Sequence, residues 1–168
     1  MNLANFNKKK ELDNCLDYIK IDKLKNATLK LIKDNYNKTK LNNAIKVCEY
    51  TMFLLKEDGL LNQCAYSQSN SIIIAGALLH NLSYDYGKQS FQKLFDARAK
   101  IEEISYEEET YLPPDLKMML YQLIECQLGK QHPIKQLIPN SGNPAYYISL
   151  SCSLYYKKEL KREISEVW

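Results

Sequence analysis

Apolar residues recur along this chain three and four positions apart, segment after segment, which is the spacing of helices with one buried face. A first, polar helix is expected near Lys9 to Lys20. The second begins at about Asp22, read as its N-cap, and runs to Tyr36 with Leu24, Leu31 and Ile32 on one face. Thr39 is read as the cap of a third, whose stripe is Leu41, Ala44, Ile45, Cys48, Met52 and Leu55, with Gly59 just past its end. A polar connection over residues 60–69 leads to Ser69 or Asn70 and then to Ile72-Ile73-Ile74-Ala75-Gly76-Ala77-Leu78-Leu79. That run is apolar on every side, so it is predicted to be the central buried helix. The isoleucines would also suit a strand, but no partner strand is visible in the pattern.

Ser90 opens the next helix, with Phe91, Leu94, Phe95, Arg98 and Ile101 on its packing face. The acidic run Glu102 to Glu109 is read as a solvated helix end and loop, closed by Pro113-Pro114. A proline in the first turn starts the following helix, with the stripe Leu116, Met119, Leu120, Leu123 and Ile124 and Gly129 at its end. Residues 130–143 are a loop containing His132-Pro133. Pro144 opens the last long helix, with Ala145, Ile148, Cys152 and Tyr155 on one side. The sum is an all-α, single-domain bundle of about seven helices spanning residues 1–168. Only five glycines and five prolines punctuate the chain, which favours long helices over many short strands.

Charge changes this picture little. Lysine and arginine together number 23 against 20 acids, a net +3, too small a bias to imply nucleic acid. Arginine occurs only at Arg98 and Arg162, so the bidentate forks that read bases are nearly absent and direct nucleic-acid binding is not expected. The lysines at Lys8-Lys9-Lys10 and Lys157-Lys158 have acids close by and read as solvated faces. The five cysteines, Cys15, Cys48, Cys64, Cys126 and Cys152, are odd in number and without a C-x-x-C, as expected of reduced thiols in the cytoplasm. Met1 to Lys10 lacks the apolar run of a signal peptide. Ile72 to Leu79 falls far short of the ~20 residues that span a bilayer, so no membrane partner is expected.

The segment from Ala75 to Ser83 carries the most chemical information. His80 ends a buried apolar helix and Asn81 follows it, so two polar side chains lie at one helix terminus. Taken alone, Leu78-Leu79-His80-Asn81 reads as a capped helix end. The segment resembles the A-x-L-L-H-D-I-G signature of the HD superfamily of metal-dependent phosphohydrolases. Asn43-Ala44-Ile45-Lys46-Val47-Cys48 resembles that family's upstream H-x-[IL]-[RK]-V-[AC], and Ser151-Cys152-Ser153-Leu154 stands where the family has A-D-x-[IL]. The resemblance covers roughly residues 38–158, and it implies an HD-like helical domain.

Carried over position by position, the resemblance puts the family's first histidine at Asn43, its central histidine at His80, its central aspartate at Asn81 and its last aspartate at Cys152. The optional histidine pair of the penultimate helix falls near Glu125-Cys126. Only His80 keeps the family's ligand, and it is the one weak metal candidate. Divalent ions such as Mg2+ or Mn2+ want anionic oxygen, which two amides and a thiol do not offer. An unbound metal cannot acidify a nucleophilic water. Metal-dependent phosphoester hydrolysis is therefore expected to be lost, with no cofactor. Zinc would need His80 and Cys152 joined by Cys126 or His132, and no ligand spacing supports that set.

Asn43, His80, Asn81 and Cys152 are read first as a polar core cluster whose members satisfy one another. A pocket inherited from a phosphohydrolase could still bind a nucleotide-like ligand. The loop Tyr84-Asp85-Tyr86-Gly87-Lys88 borders the substrate in active relatives, so the candidate pocket is Asn43, His80, Asn81, Tyr84, Asp85, Lys88 and Cys152. There Asp85 is a candidate acid or base and Lys88 a candidate phosphate contact; the plainer reading of the loop is a surface turn. Tyrosine is abundant, at 13 of 168 residues, and the pairs Tyr146-Tyr147 and Tyr155-Tyr156 are each expected to split between a buried and an exposed ring.

Three functions follow as expectations. The first is an inactive HD-like domain that binds a protein partner or a nucleotide-like ligand. The second is a phosphohydrolase rearranged around His80 with Asp85, Asp58 or Glu125. The third is a helical nucleic-acid-associated protein, for which the basic-aromatic stripe is missing.

Overall fold

A computed structural model of the chain describes residues 3–86, 88, 90–127 and 143–167. Among them are seven α-helices and no strand. They are α1 (Leu3–Leu16), α2 (Asp22–Asn35), α3 (Lys38–Glu57), α4 (Ser67–Leu78), α5 (Phe91–Ile104), α6 (Pro114–Glu125) and α7 (Ala145–Val167). Two short 3-10 turns, Cys64–Tyr66 and Glu108–Thr110, lie before α4 and between α5 and α6. Among the described residues no helix is long and apolar enough to cross a membrane.

The all-apolar run does form the central helix. Every residue from Asn70 to Leu78 of α4 is buried, and α4 packs on α1, α2, α3, α6 and α7. Gly76 lets these helices approach: a Cβ there would lie 3.0 Å from Ile148 Cδ1 and 3.2 Å from Leu123 Cβ. Buried hydroxyls tie the layers together. Ser71 Oγ accepts from Lys20 N at 2.8 Å, and Thr51 donates to Ser151 at 2.9 Å, linking α3 to α7. The most extensive packing is that of α3 on α7.

Several ends and faces differ from the pattern-based expectation. The first helix ends at Leu16, not near Lys20. Asp22 is the first residue of α2, and Ile21 at the cap makes no side-chain bond; Asp22 acts through its charge at the positive helix end. Asn37, not Thr39, caps α3 by accepting from Lys40 N, while Ser90 caps α5 as expected. Gly59, at φ 72°, takes the left-handed turn past the end of α3 that favours glycine.

On α5 the buried stripe is Leu94, Ala97, Ile101 and Ile104, which leaves Phe91 and Phe95 half exposed. At roughly 100° per residue, those two rings fall a quarter turn or more from the centre of that stripe. Met119 on α6 is likewise exposed, because Leu116, Leu120, Leu123 and Ile124 fill the packing face without it. The expectations for Gly129 and His132-Pro133 lie outside the described residues.

Candidate functional site

The backbone leaves α4 at Leu78, turns through Leu79–Asn81 and passes to Ser90 through Tyr84 and Asp85. Residues 71–82 are buried without interruption, so His80 is held inside the protein and only 1% exposed. Its Nδ1 lies 2.7 Å from the Ala77 carbonyl oxygen. A carbonyl only accepts, so Nδ1 carries the proton and donates. Nε2 is then the lone pair, and it accepts from the hydroxyl of Tyr156 on α7 at 2.9 Å. Burial keeps this ring neutral: its pKa falls from 6.5 to about 4, against a smaller upward pull from the Ala77 bond and with a further lowering by Lys40.

Tyr156 is itself fixed from both sides. Its ring edge meets the His80 ring at 5.9 Å, and Tyr86 stacks flat on it with centroids 4.1 Å apart. Tyr155, the next residue along α7, donates to Asn43 Oδ1 at 2.8 Å. The two adjacent tyrosines thus occupy the polar atoms of the two positions where the HD resemblance places histidine ligands.

Asn81 is buried and held by α3: its Nδ2 donates to the Lys40 carbonyl at 3.3 Å, and its own carbonyl accepts from Lys40 Nζ at 3.2 Å. Its Oδ1 has no partner, nor do the buried Ser83 Oγ and Tyr84 hydroxyl. Lys40 is held below its ordinary pKa by burial, opposed by Asp85. Cys152 is 2% exposed, and burial pushes its thiol far above the usual range, so the sulfur stays protonated. Tyr84 is raised for the same reason and lies close enough to Cys152 to feel it.

The structure therefore brings His80, Tyr84, Cys152 and Tyr156 together under the loop, with Asn81 beside them against α3. It does not join Asn43, His80, Asn81 and Cys152 by hydrogen bonds to one another. The mutual satisfaction expected of that cluster is replaced by bonds to backbone carbonyls and to α7 tyrosines, which reach further than a short amide. Asp85 and Lys88 are exposed, and Lys88 N donates to the Asp85 carbonyl at 3.0 Å, as in a surface turn. Asp58 accepts from Tyr147 at 2.6 Å and Glu125 pairs with Arg98, so both carboxylates are engaged away from His80.

The donor set does not fit a hard divalent ion. Nε2 of His80 and Oδ1 of Asn43 each face a tyrosine hydroxyl, no carboxylate is bonded to His80, and Cys152 holds its proton. Among the described residues no three His, Cys, Asp or Glu side chains are gathered as a metal group. Of the zinc candidates, Cys126 is buried with its thiol raised to about 11, chiefly by burial, and His132 lies outside the described residues.

The residues that sequence reasoning did not bring to this site are Tyr36, Lys40 and Tyr156. A signal existed for Tyr156, which follows Cys152 by four positions and so shares its helix face. Tyr36 donates to the Leu78 carbonyl at 2.7 Å, and nothing in its local pattern announces that. No family model matches the chain, and no curated protein or solved structure matches it either.

Proposed function

We propose that this chain is an HD-like helical domain whose phosphohydrolase site is closed, and that it acts by binding, as a regulatory or scaffold module in the cytoplasm. The observation that carries the reading is the bond from Tyr156 to His80 Nε2. In a working metal site that lone pair faces the ion and the second ring nitrogen is held by a backbone or carboxylate acceptor. Here the second half of that arrangement is present, in the Nδ1 bond to Ala77, while a tyrosine stands where the metal would be. The replaced residues Asn43, Asn81 and Cys152 agree with it, since none supplies an anionic oxygen. The occupant of such a module is a protein partner or a nucleotide-like ligand.

The test is the metal content of the purified chain, measured by elemental analysis, together with turnover of a generic phosphodiester in added Mn2+. The reading predicts substoichiometric metal and no turnover above buffer. Stoichiometric metal, or turnover that disappears in His80→Ala, would restore the hydrolase.

A further inference from the structure

A concave site lies outside the buried His80 cluster, between α3 and α7. Its volume is about 670 Å³, inside the range of roughly 300–1,000 Å³ typical of small-molecule sites. One wall is an outward stripe of α3, with Lys46, Glu49, Tyr50 and Phe53 spaced three and four apart; the other is Tyr155 and Lys158 of α7. This stripe is separate from the core-facing residues Ala44, Ile45, Val47, Cys48, Thr51 and Leu55 of the same helix.

The lining has a definite chemistry. Tyr50 and Tyr155 have their rings 6.4 Å apart and tilted by 44°, with Tyr155 only 7% exposed, as the floor of the groove. Phe53 is 57% exposed, a large apolar ring left mostly to solvent. Tyr155 is not free to swing: its hydroxyl is held by Asn43, so one aromatic wall is set before any ligand arrives. The charges are unequal in the lining: Lys46 is taken up by Glu49 at 2.9 Å and feels Glu11 as well, which leaves Lys158 as the lining's unmatched ammonium.

We propose that this groove is a binding site for a small planar aromatic anion, its ring against Tyr50, Phe53 and Tyr155 and its negative group against Lys158. Aromatic faces give such a ligand apolar contact, and the excess ammonium sets the sign of its charge. The groove does not depend on the HD-like reading, which rests on the bond between Tyr156 and His80. Either can fail alone, since metal content and turnover read one and ligand titration the other.

The probe is 1-anilinonaphthalene-8-sulfonate, a sulfonate carried on a planar naphthalene ring, titrated into the full chain and followed by its fluorescence. Its uncharged relative N-phenyl-1-naphthylamine is titrated in parallel. One saturable sulfonate site is expected, weakened about tenfold by Phe53→Ser and by several-fold with Lys158→Gln. Phe95→Ser, which removes an exposed ring on α5, should leave the titration unchanged. Phe53 is exposed, so its replacement leaves the core intact, and circular dichroism checks that it does. No saturation, equal losses from Phe53→Ser and Phe95→Ser, or equally tight binding of the uncharged dye would each overturn the proposal; the last would make the groove a merely apolar surface.

Discussion

His80 is a neutral, buried imidazole with a fixed tautomer, and each of those properties follows from a named neighbour. Ala77 O accepts a hydrogen bond from Nδ1–H, the Tyr156 hydroxyl donates one to Nε2, and burial removes the water that would stabilise a charge. The folded pKa of about 4 lies below the 6.5 of the free group. Between those values the unfolded chain binds a proton that the folded chain refuses. The contribution of His80 to stability is therefore complete above pH 6.5 and is lost as pH falls towards 4. The expected size is about 3 kcal/mol. In urea midpoints measured from pH 7 to pH 5, wild type should lose stability more steeply than His80→Phe, which has no proton to bind. Parallel slopes would show that His80 titrates normally. At this scale the sequence was half legible. His80 and Asn81 stood out as polar residues ending an apolar run, but the hydroxyl that meets His80 lies 76 residues away and that of Asn43 lies 112 away. No local pattern encodes such pairings.

Among the elements, α4 is the most constrained. It is buried on all sides, and Gly76 sits against Ile148 of α7 and Leu123 of α6 with no room for a branched side chain. Gly76→Val would push two helices off the central one, and overpacking of this kind costs about 3 kcal/mol. A thermal melt should show a midpoint many degrees lower with helicity retained in the cold; an unchanged midpoint would mean the interface is looser than its geometry. The helices themselves were legible because burial imposes a 3.6-residue period on sequence. Their ends were less so. Asp22 and Thr39 are both good capping types, and which residue caps depends on where the preceding chain leaves its extended conformation. The exposed side chains of Phe91, Phe95 and Met119 misled for a related reason: an apolar side chain fits a stripe in sequence even where the neighbouring helix does not reach it.

Across the whole molecule, α7 closes the bundle against α3 and α4 and also carries the tyrosines that close the candidate site. One helix thus performs a packing task and a chemical one. Its burying residues Ala145, Ile148, Cys152 and Tyr155 were legible as a stripe; the second role of its tyrosines was not, because it depends on the docking of α7 against α3 and the loop after α4. The central claim is that Tyr156, and not a metal, is the partner of His80 Nε2. The most direct test is to follow the His80 ring by nuclear magnetic resonance while Mn2+ is added. The closed site predicts a neutral, Nδ1-protonated ring whose signals persist through an excess of the ion. Selective broadening of the His80 signals at one equivalent of Mn2+ would contradict it.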